Sequence, residues 1–115
     1  MTTLIYKIMM PDQYEVLEKE GETVGAPIDV QDGFVHFSKA DQVASTLALY
    51  FAHQKDLKLV AVDTERLGDA LKWETSRDGA AFPHLYSKMQ KKDVVWVETL
   101  ALDDHGVHVL PSKMS

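Results

Sequence analysis

Helix patterns and strand patterns occupy different parts of this chain. The two helix patterns fall at residues 11–20 and about 39–52, whereas most β-type runs lie after residue 56. Segregation of this kind is typical of α+β domains rather than of doubly wound α/β domains. We therefore predict one α+β domain over residues 1–115, in which two early helices pack on a largely antiparallel β-sheet.

The first helix has recognisable ends. Pro11 suits the first turn of a helix, because its fixed φ matches the helical value and its missing N–H is not needed there. Tyr14 and Leu17 mark an inner stripe, and Gly21 is a plausible C-terminal stop. We expect a helix from Pro11 to about Glu20.

The second helix is expected to begin after Ser38. Ser38 and Asp41 have nearly the spacing of a capping box, in which the two side chains satisfy free backbone N–H groups at the helix start. One helical stripe carries the apolar residues Val43, Leu47, Tyr50 and Phe51. This pattern predicts a helix over about 39–52.

Residues 57–62 alternate too little to be half exposed, so they indicate a central strand. Further strands are expected at 4–9, 71–75, 94–102 and 107–110. Residues 25–27 are expected to form a loop, and 77–79 a turn by residue type.

The segment 32–39 places a histidine inside an apolar strand. Alternation puts Phe34, His36 and Ser38 on one face and Val35 and Phe37 on the other. A lone histidine of this kind is often a core residue with a hydrogen-bond partner. Its position where a strand opens into a helix also suits a small ligand, since free N–H groups point outward there. We take His36 and Ser38 as candidate ligand-binding residues.

Aromatic rings are concentrated in the segment 82–86. The residue before Pro83 is forced to be extended, and alternation then puts Phe82, His84 and Tyr86 on one face. Such a segment could be a hydrophobic edge strand. A rigid wall of rings also suits a planar heterocycle.

Glu74, Ser76 and Arg77 form a polar group at the end of a predicted strand. Glu74 and Arg77 could be a simple surface ion pair, which contributes under about 1 kcal/mol to stability. Alternatively, Glu74 accepts a hydrogen bond from a ligand hydroxyl, and Arg77 binds an anionic group.

Composition excludes several kinds of function. Twelve basic and eighteen acidic residues give a net charge of −6, which argues against nucleic-acid binding. The chain has no cysteine for thiolate chemistry, and no apolar run approaches the roughly 20 residues of a membrane span. With no signal-like segment, we expect a cytoplasmic protein. The histidines lack the spacing of common metal motifs, so no metal site is expected.

Four blocks of the sequence, in order, carry a resemblance to a known family. They are residues 4–8 (LIYKI), 32–38 (DGFVHFS), 73–77 (WETSR) and 82–86 (FPHLY). Together they resemble the bacterial domain-of-unknown-function 952 family, over essentially the whole chain. The resemblance implies a split β-sheet similar to the ADP-ribosyltransferase superfamily, near the RNA 2′-phosphotransferases. It brings no established activity with it.

That superfamily relation implies roles by position. Its poly-ADP-ribosyltransferase branch has a His-Gly-Ser motif that holds NAD, and residues 36–38 are similar except for Phe37 in place of glycine. On this reasoning His36 and Ser38 hold the ligand, and Tyr86 or Tyr50 stacks on nicotinamide. Glu74, or alternatively Glu98, stabilises charge at the ribose.

Three hypotheses follow. The chain is an enzyme that uses NAD or another ADP-ribosyl compound, a non-catalytic module that binds a nucleotide or small metabolite, or an interaction protein with an aromatic dimer face. In the first, Glu74 and His36 are the catalytic residues. The ligand-binding set is His36, Ser38, Ser76, Arg77, Phe82, His84 and Tyr86.

Overall fold

The computed structural model describes residues 3–76 and 79–114. The predicted turn residues Arg77 and Asp78 therefore lie outside the described residues. In chain order, the elements are β1 (Leu4–Met9), α1 (Pro11–Glu20), β2 (Glu22–Thr23), α2 (Pro27–Asp32), β3 (Val35–His36), α3 (Val43–Tyr50), β4 (Lys58–Asp63), β5 (Leu71–Thr75), β6 (Ala81–Leu85), β7 (Met89–Gln90), β8 (Val94–Thr99), β9 (Ala101–Leu102) and β10 (His108–Val109). The predicted α+β class is confirmed, and the strand pairs are antiparallel.

The first sheet has the order β1–β4–β8. Its central strand, β4, is the one predicted from the apolar run at 57–62, and Leu59, Val60 and Ala61 are fully buried. Each face of the sheet carries a hydrophobic core. Leu17 of α1 packs in one core with Ile5 and Met9 of β1, and α3 packs in the other.

The second sheet has the order β3–β6–β5 and joins the first at one point. Phe37 N–H donates to Pro83 O of β6 (3.0 Å). One residue later, Ser38 pairs with Tyr6 of β1 through two backbone hydrogen bonds of 2.8 Å. The chain after β3 thus passes from one sheet to the other within two residues. This step holds the β3–β6–β5 sheet against β1.

Residues 27–32 form the helix α2 where a loop and the start of a strand were expected. Pro27 begins the helix, and the Asp29 carboxylate accepts a hydrogen bond from Ala26 N–H (2.6 Å), which would otherwise be free. Gly33 ends the helix with φ 84°, a left-handed conformation that suits glycine. The strand prediction over 32–39 was therefore too long, and β3 begins only at Val35.

The predicted capping box of Ser38 and Asp41 is wrong. Lys39 N–H instead donates to the Gln42 side chain (2.9 Å), and a single 3₁₀ turn, Ala40–Gln42, precedes α3. Ser38 is held in its backbone pair with Tyr6, which fixes the chain in an extended form at that point. No helix in the described ranges 3–76 and 79–114 is long and apolar enough to cross a membrane.

Candidate functional site

The register of the second sheet brings the predicted polar residues to one face. His36 lies opposite His84, and His84 lies opposite Lys72 on the other neighbour. Glu74 lies opposite Phe82. Because paired residues in antiparallel strands point the same way, all of these side chains share one face, which we call the polar face. The opposite face carries Val35 and Leu85 into the core.

Phe34 is the centre of a ring cluster on the polar face. Its ring stacks on His84, with centroids 4.1 Å apart and planes at 23°. The rings of His36 and Tyr86 lie 4.6 and 5.1 Å from it in tilted arrangements. Contacts of this kind stabilise aromatic pairs beyond the area that they bury. Phe34 thus fixes the relative positions of the two histidines and Tyr86.

Glu74 is held by two neighbours on β6 and just beyond it. His84 Nδ1 lies 2.8 Å from Glu74 Oε1, and the Tyr86 hydroxyl donates to the same oxygen at 2.7 Å. The hydrogen bond from His84 has the largest effect in lowering the pKa of Glu74, and the hydrogen bond from Tyr86 lowers it further. The bond to Glu74 raises the pKa of Tyr86. Glu74 is therefore a carboxylate at neutral pH, and both bonds leave its second oxygen, Oε2, to other donors.

A second carboxylate, Asp29 of α2, holds His36. Asp29 Oδ1 accepts a hydrogen bond from His36 N–H (3.0 Å) and lies 2.5 Å from His36 Nδ1. On the other side of the ring, His36 Nε2 lies 3.0 Å from Asp32 Oδ2. Carboxylates therefore face both ring nitrogens, so the orientation of the His36 ring is fixed from two sides.

Asp29 also forms a buried ion pair with Lys7 of β1. Lys7 Nζ lies 2.8 Å from Asp29 Oδ2, and the two residues are 5% and 1% exposed. Burial alone would raise the pKa of Asp29, but the hydrogen bonds from His36 and the charge and hydrogen bond of Lys7 lower it to about 2. Burial outweighs the same pairing for Lys7 and lowers the pKa of that ammonium group. The charged form of Asp29 is therefore better stabilised than that of Lys7, because several donors surround the carboxylate.

The structure places the remaining predicted residues as follows. Ser38 is buried in the pair with Tyr6, with its Oγ 3.4 Å from Thr46 Oγ1, on the β1 side of the junction. Phe82 is buried opposite Glu74, whereas Ser76 is exposed, with its N–H bonded to Ala80 O. Arg77 lies outside the described residues.

The two alternatives for Glu74 and Tyr86 lie elsewhere in the fold. Glu98 is on β8 of the first sheet, opposite Leu59, and its carboxylate forms an ion pair with Lys113 (2.6 Å). Tyr50 is exposed at the end of α3, which packs on the first sheet. Of these two glutamates, Glu74 is the one that the register brings into contact with His84 and Tyr86.

Sequence reasoning missed Asp29, Asp32 and Lys7. Asp29 lies two residues after Pro27, in the N-terminal turn of a helix, where acidic residues are favoured. A helix of six residues has too short an apolar pattern to be recognised, so its carboxylate could not be placed beside His36. Among residues 3–76 and 79–114, no three histidine, aspartate or glutamate side chains are arranged to hold a metal ion.

Comparisons with known proteins place the chain in a family. The model of the family described as "protein of unknown function (DUF952)" matches residues 8–97. The chain is similar to the crystal structure of protein CC0527 from Caulobacter crescentus, with 41% sequence identity, a TM-score of 0.91 and coverage of 97% of this chain and 98% of that one. The solution NMR structure of CC0527 is 42% identical over 90% of each chain, with a TM-score of 0.81. No curated protein matches. The chain belongs to the domain-of-unknown-function 952 family.

Proposed function

We propose that the polar face of the β3–β6–β5 sheet binds a small nucleotide-like ligand, and that NAD or another ADP-ribosyl compound belongs to this class. One observation carries the proposal: the Glu74 carboxylate is fixed by His84 and Tyr86, whose rings both pack against Phe34. A fixed carboxylate next to aromatic rings combines the two features that recognise a nucleoside, a hydroxyl acceptor and a stacking surface.

The exposure of these groups supports binding from solvent. The side chain of Glu74 is 42% exposed and Tyr86 is 46% exposed, whereas His84 behind them is buried. Oε1 of Glu74 is already bonded to His84 and Tyr86, so Oε2 is the oxygen that would accept a ribose hydroxyl. A hydrogen bond from that hydroxyl to an ionised carboxylate is roughly twice as strong as a neutral one.

The same arrangement supports an ADP-ribosyltransferase-like reaction. In such a reaction, the bond between ribose C1′ and the nicotinamide nitrogen breaks, and its electron pair leaves with nicotinamide. A nucleophile then adds to C1′ and loses a proton. Glu74, bonded to the ribose 2′-hydroxyl, would stabilise the positive charge that develops on the sugar, and His36 would position the ligand. The lowered pKa of Glu74 keeps it in the charged form that this role needs.

The topology is compatible with this relation. Two antiparallel sheets meet at the Ser38–Tyr6 pair, and this division of the strands supports the split sheet that the resemblance implies. The backbone N–H of Phe37 donates to Pro83 of β6, and Phe37 itself is buried. The conformation of the His-Phe-Ser segment is therefore set by packing in the core as well as by any ligand. The proposal for chemistry therefore rests on Glu74 and its neighbours rather than on that segment.

Thermal unfolding with NAD, ADP-ribose and nicotinamide tests binding. Ligand at about 100 times its dissociation constant adds roughly 2.7 kcal/mol, which raises Tm by roughly 10 °C in a domain of this size. We expect NAD or ADP-ribose to produce such an increase in the wild type, about half of it in Glu74→Gln, whose binding is about tenfold weaker, and a much smaller one in His36→Ala.

Glu98→Gln is the matched control, because it removes a carboxylate from the other sheet. It should respond to ligand as the wild type does. No increase in Tm with any of the three compounds, in folded protein, would contradict the proposal. A change in oligomeric mass in Tyr86→Ala, without any ligand effect, would instead favour the dimer-face hypothesis.

Turnover separates an enzyme from a binding module. An enzyme should release nicotinamide from NAD, and Glu74→Gln should lose that release while retaining much of the binding. Binding of NAD to the wild type without release of nicotinamide would favour the hypothesis of a non-catalytic binding module.

A further inference from the structure

A cavity of about 290 Å³ adjoins the polar face. It lies between α2 and the segment that leads from β6 to β7, and the residues that line it include Val24, Val30, Gly33, Phe34, Tyr86 and Lys88. Phe34 and Tyr86 belong both to this cavity and to the ring cluster beside Glu74. The cavity and the carboxylate are therefore adjacent parts of one surface.

Most of the cavity surface is apolar although the cavity is open to solvent, and the buried Asp29 also lines it. Val24 and Val30 at its edge are 51% and 60% exposed. Gly33 contributes no side chain, and its αL conformation at the end of α2 brings Phe34 to the wall. Apolar side chains that are grouped around a concave surface are typical of a ligand site.

A charged side chain that reaches solvent lines the same cavity. Lys88 lines the cavity and forms a half-exposed ion pair with Glu22 (3.1 Å). An exposed ion pair of this kind contributes little to stability, so the ammonium group can exchange its partner for a ligand anion at small cost. The mainly apolar cavity, the rings of Phe34 and Tyr86 and the Glu74 carboxylate therefore lie side by side on one surface. The ammonium group of Lys88 lies at the rim of the cavity.

We propose that this cavity is the base-binding part of the site, so that the ligand is a phosphorylated nucleoside with its base in the cavity and its ribose at Glu74. This inference rests on the proposed function and specifies the ligand class. Ligand pockets usually measure about 300–1,000 Å³, so a cavity at the lower limit holds one ring system rather than a whole dinucleotide. Tyr86 connects the two parts, because it lines the cavity and its hydroxyl donates to Glu74.

Amide chemical shifts of the full chain locate the two parts separately. Titration with nicotinamide mononucleotide, a phosphorylated nucleoside, should shift the resonances of the cavity residues Val24, Gly33 and Ser87 together with those of Glu74 and Tyr86. Ribose 5-phosphate, which has no base, should shift Glu74 and Tyr86 alone. Shifts at Glu74 without shifts in the cavity would overturn this inference and leave the proposed function standing, whereas no shift at either place would overturn both.

A pair of variants on α2 provides the matched comparison. Val30→Gln places a polar group in the cavity wall, whereas Ile28→Gln alters a similarly exposed residue of the same helix that does not line the cavity. We expect Val30→Gln to weaken binding of nicotinamide mononucleotide about tenfold and Ile28→Gln to leave it unchanged. Ribose 5-phosphate should bind both variants equally, and equal affinities of the two variants for nicotinamide mononucleotide would overturn the inference.

Discussion

Replacement of Asp29 by asparagine should destabilise the protein far more than the loss of one hydrogen bond. Asp29 Oδ2 faces two donors, Lys7 Nζ and Ala26 N–H, and Oδ1 faces two more from His36. An asparagine must direct its NH₂ group at one of these donor pairs. In either orientation, buried donors lose their acceptor, and Lys7 remains as an uncompensated buried charge.

The magnitude follows from the pKa of Asp29. Its value of about 2, against the ordinary 3.8, corresponds to about 2 kcal/mol of folding free energy that depends on the ionised carboxylate. Removal of one partner from a buried ion pair commonly costs about 3–5 kcal/mol. We therefore expect Asp29→Asn to lower the free energy of unfolding by about 2–5 kcal/mol at pH 7, measured by urea denaturation.

A double-mutant cycle with Lys7→Met separates the pair from the rest of the network. Methionine fills most of the volume of the lysine side chain without its charge, so Asp29→Asn should cost clearly less in the Lys7→Met background. A cost under about 1 kcal/mol for Asp29→Asn, or additive costs in the double variant, would refute the reasoning.

The pH dependence gives an independent check. Because the pKa of Asp29 is lowered in the folded state, its contribution is complete above about pH 4 and is lost as the pH falls towards about 2. The wild type should therefore lose about 2 kcal/mol more than Asp29→Asn between pH 4 and pH 2. Parallel curves of unfolding free energy against pH for the two proteins in this range would show that the partners of Asp29 do not lower its pKa.

Two further substitutions test the site and its support. Tyr86→Phe removes one of the two donors to Glu74, so the pKa of Glu74 should rise part of the way to its ordinary value; an unchanged value in a ¹³C NMR titration of the carboxyl group would contradict this. Gly25→Ala should lower Tm more than Gly21→Ala. Both glycines have a positive φ, but an added Cβ at Gly25 would lie 2.2 Å from Asp29 Oδ2, whereas at Gly21 it meets nothing within 4 Å. Equal effects would contradict the close approach of Gly25 to Asp29.

The elements that are determined by residues close together along the chain could be predicted from the sequence. The helix α1 has its proline, its stripe and its glycine within eleven residues, and the apolar run of β4 identifies a central strand by itself. The helix α2 could not be predicted in this way. It is stabilised by the Asp29 carboxylate, whose partner Lys7 lies 22 residues earlier in the chain.

The same distinction applies to the candidate site. Alternation predicted that His84 and Tyr86 share a face, and the structure confirms it through their contacts with Phe34. The addition of Glu74 to that face depends on the β5–β6 register, which the sequence does not specify because the turn between those strands can have several lengths. The capping role predicted for Ser38 was wrong for a related reason, since its backbone pairs with Tyr6, 32 residues earlier in the chain.

Isothermal titration of ADP-ribose into the wild type, Glu74→Gln and Glu98→Gln tests whether Glu74 binds the ligand. We expect saturable one-to-one binding to the wild type, about tenfold weaker binding to Glu74→Gln because a charged hydrogen bond becomes a neutral one, and unchanged binding to Glu98→Gln. The absence of binding to the wild type, or equal affinities for Glu74→Gln and the wild type, would contradict this expectation.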